Sequence, residues 1–490
     1  MSKQDKEIIN GLEQRFNITR RHFLGKMSAG IGSLALGSLL VPDLFKGDGS
    51  DVDALPLGLP HFAPKAKRVI YLFQNGAPSQ YESFEYKPLL NKMAGQEMPA
   101  SLRNGQRLTG MTSSQIKFPL VGSHFKFKQH GQSGTWFSEL FPNIATLADD
   151  MCMIKTMNTE AINHDPALTF MQTGAQQGNR PSMGAWASYG LGSENKNLPA
   201  FSVLLSRGRG NGQGVYSKLW TNGFLDPTHQ GVVFSSGEEP ILYLNNPEGT
   251  DRNARRKMLD NLSELNSMAY EDFGDPEIKA KVQQYEMAYR MQTAVPELTD
   301  MSKEPDYIVK MYGPECLVPG TFAANCLMAR KLSESGVRFV QLYHQGWDQH
   351  GNLVGEMPLQ AQDTDRASAA LINDLKQRGL LDETLVIWGG EFGRTNYSQG
   401  TASKDNYGRD HHPRAYCTWM VGGGVKPGTV YGQTDEFGYN VVRDPVHIND
   451  FHATVMHLMG INHERLTYKH LGRRYRLTDV AGNVLTGLMA

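Results

Sequence analysis

Hydrophobic positions in this chain gather in short, near-continuous runs instead of alternating with polar ones. The runs at 69–73, 151–157, 337–343, 384–388 and 416–421 are rich in β-branched, aromatic and methionine residues, and Gly or polar residues close them. A run that is apolar on both of its faces predicts a strand inside a sheet covered on both sides. Between 359 and 379 the period changes. Ala367, Ala370, Leu371 and Leu375 fall at helical spacing, and Lys376, Arg378 and Gly379 mark the stop. Strand, helix, strand predicts a right-handed parallel crossover. The fold class expected is α/β, a mostly parallel sheet with helices on both faces.

A further helix is expected at 167–171, opened by Asn163-His164-Asp165-Pro166. Pro166 suits a first turn, and His164 or Asp165 would then sit at the helix N-terminus, where backbone N–H groups attract an anion. The stretch 251–310 is different in kind: Asp251-Arg252-Asn253-Ala254-Arg255-Arg256-Lys257 and 278–291 are charged and helix-prone. It reads as a helical insertion with a solvated face, within a single domain over 60–490. Asn449 or Asp450 is expected to cap a last helix through Phe451, Val455 and Leu458.

Composition narrows the class. The 490 residues carry 49 basic and 50 acidic side chains, a formal net charge of −1, so no global field draws in nucleic acid. At the N-terminus, Thr19-Arg20-Arg21-His22-Phe23-Leu24 precedes a mildly apolar stretch at 27–41 rich in Ala, Gly and Ser. That pairing resembles a twin-arginine export signal over 1–45. It implies the twin-arginine translocation machinery as partner and a periplasmic or secreted destination. No later run is long and apolar enough to span a bilayer. Of the four cysteines, Cys152 and Cys417 fall in expected strands as buried thiols, whereas Cys316 and Cys326 could pair in an oxidising compartment.

Candidate chemistry lies beside the apolar runs. Trp347-Asp348-Gln349-His350, Gly390-Glu391-Phe392-Gly393-Arg394-Thr395 and Gly408-Arg409-Asp410-His411-His412-Pro413 are expected past the ends of successive strands, where open α/β sheets bind ligands. Carboxylate and imidazole without thiolate suit a divalent metal: Zn, Mn or Fe, or Ca where carboxylates dominate. Asp348, His350 and Glu391 are the expected ligands, joined by His411 or His412, since neighbours in sequence usually point apart. Asp410 would orient that histidine, while Arg394 and Arg409 suit sulfate or phosphate oxygens. His447 precedes the last helix and is expected to line the site. On the loop after the first strand, Ser79 and Ser83 are alternative nucleophiles, and Glu82 and Glu85 alternative carboxylate ligands.

These three clusters, with Gly76-Ala77-Pro78-Ser79 and Asp444-Pro445-Val446-His447-Ile448-Asn449-Asp450, resemble the DUF1501 family of exported bacterial proteins over nearly everything from Ala66 onward. That family is similar to the sulfatase and alkaline phosphatase superfamily. The resemblance implies an alkaline-phosphatase-like sheet and a substrate that is a small-molecule or glycan ester of sulfate or phosphate. In the superfamily's order Asp348 and His350 stand for a first pair, Glu391 for the next Asp, and His411 or His412 follows. Asn75 stands where the superfamily has its first Asp, and Phe392 where a His follows the second. In the sulfatase register of nucleophile, Pro and Thr-Gly, this chain has His164, Pro166, Thr173 and Gly174. An imidazole there can attack, carry a proton or bind metal, but it cannot become the formylglycine of sulfatases.

The expectation is an exported metal-dependent hydrolase with His164 and Arg394 as its catalytic residues. The alternatives are a catalytically degenerate member of the same fold that binds a glycan or protein, and a phosphoglycan transferase.

Overall fold

β1 (Arg68–Asn75) sends Ile70 and Leu72 into one hydrophobic core and Val69, Tyr71 and Phe73 into another. Both faces leave water, which is why its sequence is continuously apolar. Each such side chain contributes about 1.5–3 kcal/mol of burial. The computed structural model describes residues 60–490 apart from 104, 236–240, 242–243, 247–248, 275, 401 and 404–405, all within one compact unit. The expected export signal at 1–45 lies outside the described residues.

The other strands of the main sheet are β2 (Met151–Asn158), β3 (Phe201–Ser206), β4 (Val232–Phe234), β5 (Phe339–Gln345), β6 (Thr384–Gly389), β7 (Tyr416–Val421), β8 (Thr429–Tyr431) and β9 (Val446–His447). Their spatial order is β8-β2-β7-β6-β1-β5-β3-β4, with β9 also on β2. Every pairing is parallel except those of β7, which runs against both β2 and β6.

That reversal corrects the expected placement of the third cluster. Arg409–His412 precedes its strand instead of following it. Because β7 is antiparallel, its amino end lies beside the carboxyl end of β2, and Tyr416 pairs with Met157. The cluster therefore reaches the same sheet edge as the other two by the opposite route.

The long helices are α1 (His164–Thr173), α2 (Met183–Leu191), α3 (Arg252–Phe273), α4 (Pro276–Thr299), α5 (Phe322–Glu334), α6 (Leu353–Gln377) and α7 (Ile448–Leu458). α5 and α6 pack on the Ile70 face of the sheet, and α1, α2 and α7 on the Tyr71 face. α3 and α4 pack on each other across the charged stretch, α3 opening on Asp251, whose carboxylate accepts from the Ala254 N–H. Among the described residues, no helix is long and apolar enough to cross a membrane.

Two expectations are corrected. α6 begins at Leu353, ahead of the expected 359, and runs through Pro358. An interior proline loses one helical bond, but Leu353, Met357 and Ala361 are buried and hold the first turns in place. The cap of α7 is neither Asn449 nor Asp450 but His447, whose Nδ1 accepts from the Asn449 N–H at 3.2 Å. Cys316 and Cys326 are free, buried thiols, as are Cys152 and Cys417.

Candidate metal centre

Strand register assembles the site. Asn75 at the end of β1 is level with Gln345 of β5, and Phe73 is level with Gly389 of β6. The segments that follow, carrying Asp348 and Glu391, therefore leave the sheet side by side. Gly76 between them has φ +114°, and a Cβ there would lie 2.7 Å from the Asp348 nitrogen. Only glycine combines that backbone conformation with so close an approach.

His164, Asp348, His350 and His411 each place one ligand atom within 4.8 Å of the others. From Asp348 Oδ1, the Nε2 atoms of His350, His164 and His411 lie at 2.9, 3.1 and 3.7 Å. His164, Asp348 and His411 are buried, while His350 is partly open to solvent. His164 owes its place to being the first residue of α1, shortly past the end of β2.

Each ring is oriented from behind. His164 Nδ1 donates to Glu391 Oε1 at 2.5 Å, His411 Nδ1 to the Ile162 carbonyl at 2.8 Å, and His350 Nδ1 to Gln399 Oε1. All three partners are acceptors, so a neutral ring at each position would hold its proton on Nδ1 and leave Nε2 for a cation beside Asp348.

This arrangement fits a cation. His350 Nε2 and His411 Nε2 are 2.9 Å apart. Burial pushes His411 down to about 4, against the opposing pull of Asp348, so its ring is neutral at pH 7. Where both rings hold their proton on Nδ1, no proton lies between the two Nε2 atoms and the facing lone pairs repel. A divalent cation removes that repulsion. A four-coordinate metal with bonds of about 2.1 Å spaces its ligand atoms about 3.4 Å apart, which these separations approximate.

The surrounding charges favour an ionised carboxylate. Burial opposes the charged form of Asp348, but its contacts with the three imidazoles and the Arg394 charge hold its carboxyl far below the usual range. Burial likewise pushes His164 down, and the carboxylates of Asp348 and Glu391 outweigh it, leaving that imidazole raised. Gln213 Nε2 donates to Asp348 Oδ2 at 2.5 Å.

The remaining expected residues have other partners. Arg394, expected to hold an anion, is 1% exposed and donates to the carbonyls of Gly76, Ala77, Trp347 and Arg409 and, at 2.7 Å, to Asp348 Oδ1. Its guanidinium is spent on shaping the loop junction. Glu391 is placed behind His164, with its Oε1 also accepting from Gly76 N–H at 3.1 Å. His412 turns away, donating Nε2–H to the Tyr439 carbonyl at 2.7 Å and stacking on the Tyr439 ring. Asp410 accepts from the hydroxyls of Thr109 and Thr112 and from His411 N–H. It thus anchors the backbone of a cluster residue, not its ring.

Ser79, Glu82 and Arg409 form a separate buried knot. Ser79 hydrogen-bonds Glu82, whose carboxylate takes Arg409 Nη2 at 2.6 Å, and Ser83 donates to the Ser79 carbonyl. Arg409 is thus not free to bind an anion. Glu85 is held by Thr434, Lys87 and Lys155. His447 caps α7 and pairs with Glu160 at 2.8 Å. Asn75 donates to the Gln213 carbonyl at 2.8 Å, and its Oδ1 is buried with no hydrogen-bond partner among the described residues.

Sequence reading missed Gln213, Gln399 and the Ile162 carbonyl. Gln213 had one legible signal, the alternating glycines Gly208, Gly210, Gly212 and Gly214. They let this loop lie against the site wall: a Cβ on Gly208 would meet the Gln345 carbonyl at 2.1 Å.

A family model described as "Protein of unknown function (DUF1501)" matches residues 66–489. The chain belongs to this family. A comparison with curated proteins finds no match for the DUF1501 chain. Solved structures to which it is similar include a sulfatase from Pseudoalteromonas sp., at 12% identity, covering 81% of this chain and 68% of that one, with a TM-score of 0.35. The lipoteichoic acid synthase LtaP from Listeria monocytogenes is similar at 10% identity, 86% and 78% coverage and a TM-score of 0.33. An alkaline phosphatase superfamily protein from Vibrio parahaemolyticus is similar at 12% identity, 86% and 76% coverage and a TM-score of 0.32.

Proposed function

We propose that this DUF1501 chain is an exported, metal-dependent hydrolase of sulfate or phosphate esters, glycan esters among them. One observation carries the reading: three imidazole Nε2 atoms and one carboxylate oxygen meet at a point, and every ring is fixed through its other nitrogen. The ester class rests on the motif order of Asp348, His350, Glu391 and His411, and export on the Arg20-Arg21 segment.

A divalent cation held by His164, Asp348, His350 and His411 would supply a Lewis acid for an ester oxygen and lower the pKa of water beside it. The chain's own residues prepare that site. Glu391 keeps the His164 proton on Nδ1 and makes Nε2 a stronger donor of its lone pair. Gln213 fixes the second oxygen of Asp348, and Arg394 offsets the carboxylate's charge while holding the Gly76 and Trp347 carbonyls. His164 is assigned to holding the cation instead of attacking substrate, since both of its nitrogens are committed.

The test is elemental analysis of the purified protein beside Asp348→Ala, followed by a panel of sulfate and phosphate esters. Stoichiometric metal that disappears in the variant, together with turnover of an ester, supports the reading. A wild type that stays metal-free after reloading refutes it and moves the protein to the class of binding modules.

A further inference from the structure

The last of the alternating glycines, Gly214, shapes an exposed ring beside the metal cluster. A Cβ there would lie 2.2 Å from the Tyr216 hydroxyl, so a residue without a side chain lets the tyrosine fold back along its own loop. The loop is fixed on either side of that tyrosine. Ahead of it, the Gln213 carbonyl accepts from Asn75 and Gln345, both at 2.8 Å, while the Gln213 side chain donates to Asp348. Behind it, Leu219 and Trp220 are buried, and the Leu219 carbonyl accepts from the Tyr343 hydroxyl at 3.3 Å. Between these anchors Tyr216 is 57% exposed, an aromatic face held in water on a fixed mount.

Polar groups flank the ring. Lys218 Nζ lies 5.8 Å from its centroid and pairs with Asp165, and both charged groups reach solvent. Asp165 directly follows His164, and Gln213 touches Asp348, so the patch joins the cluster through two of its members. Asp165 offsets the charge of Lys218. The pair therefore suits neutral hydroxyls better than a second anion, the ammonium donating and the carboxylate accepting. A sugar ring matches this patch, with C–H groups on a face for the tyrosine and hydroxyls around its edge for the pair. An aromatic alcohol would cover Tyr216 and leave the pair idle, which decides for a saccharide.

We propose that Tyr216, Lys218 and Asp165 form a saccharide-binding subsite at the edge of the metal cluster. As the place of the substrate's sugar it rests on the hydrolase reading, and narrows it to carbohydrate esters. As a sugar-binding surface it needs no metal.

The experiment is native electrophoresis of the full-length protein through gels holding carrageenan, chondroitin sulfate, fucoidan, heparin or dextran. Retardation by at least one of these is expected, with and without chelator. Tyr216→Ala is expected to weaken that binding by about tenfold or more, and Lys218→Met by about fivefold or more. Tyr216→Phe keeps the aromatic face and is expected to bind as the wild type does. Passage unhindered by all five polysaccharides, or equal retardation of the wild type and either weakened variant, overturns the proposal. Retardation of a protein that neither holds metal nor cleaves an ester keeps the subsite and refutes the hydrolase. Turnover of esters without any retardation refutes the subsite alone.

Discussion

Glu391 stands behind His164, its Oε1 2.5 Å from the Nδ1 of a ring whose Nε2 reaches Asp348 at 3.1 Å. The imidazole thus bridges two carboxylates from loops after different strands, one inside the cluster and one outside it. Orientation of that ring depends on a charge that itself touches nothing else in the cluster.

Glu391→Gln keeps the shape and an acceptor oxygen but removes the charge. Metal affinity is expected to fall by about 10- to 100-fold while some binding persists. Competition with a chromogenic chelator reads this directly. An unchanged affinity would show that the carboxylate has no part in preparing His164.

Asp348 Oδ1 is the atom about which all three Nε2 atoms gather, so Asp348→Ala is expected to abolish metal binding outright. Chelation should then lower the melting temperature of the wild type and leave that of the variant unmoved. Metal present at a thousand times its dissociation constant stabilises by about 4 kcal/mol. Equal chelator sensitivity in both proteins would refute the assignment.

Gly76→Ala couples stability to the site. Its φ of +114° and the 2.7 Å approach to the Asp348 nitrogen leave no room for a Cβ without moving the Asp348 backbone. A loss of about 1–3 kcal/mol in urea unfolding is expected, accompanied by weaker metal binding. Stability falling while metal affinity stays intact would place the strain elsewhere.

Buried neutral histidines set the acid limit. Burial pushes His344 down to about 3, and His412 and His452 to about 4. In the unfolded chain these rings take up protons below about pH 6.5, whereas in the folded chain they do not, so stability falls as pH drops through that window. Each ring contributes about 1.4 kcal/mol per pH unit there. Urea unfolding between about pH 7 and pH 5 measures the slope, and His344→Gln should flatten it by one ring's share. His344 is held between Ser206 and Gln360, so glutamine retains a polar contact.

The sheet was legible because strands buried on both faces must be continuously apolar, as β1, β6 and β7 are. The direction of β7 was not, since an apolar run reads the same for parallel and antiparallel neighbours. Asp348, His350 and His411 were visible as metal-type residues beside such runs. The division of labour between His164 and Glu391 was hidden: it depends on which ring nitrogen faces which loop, and those loops are far apart in sequence. Arg394 and Arg409 look like anion holders in a motif. In three dimensions their planar donor groups match nearby carbonyls and Glu82, which only the folded chain brings within reach.

The four buried thiols divide between the two cores, Cys152 on the Tyr71 face and Cys316, Cys326 and Cys417 on the Ile70 face. None can react with a water-borne alkylating reagent until the layer above it opens. The chain therefore carries its own reporters of local breathing: the order in which these sulfurs become labelled ranks the two helical layers by how readily each lifts from the sheet.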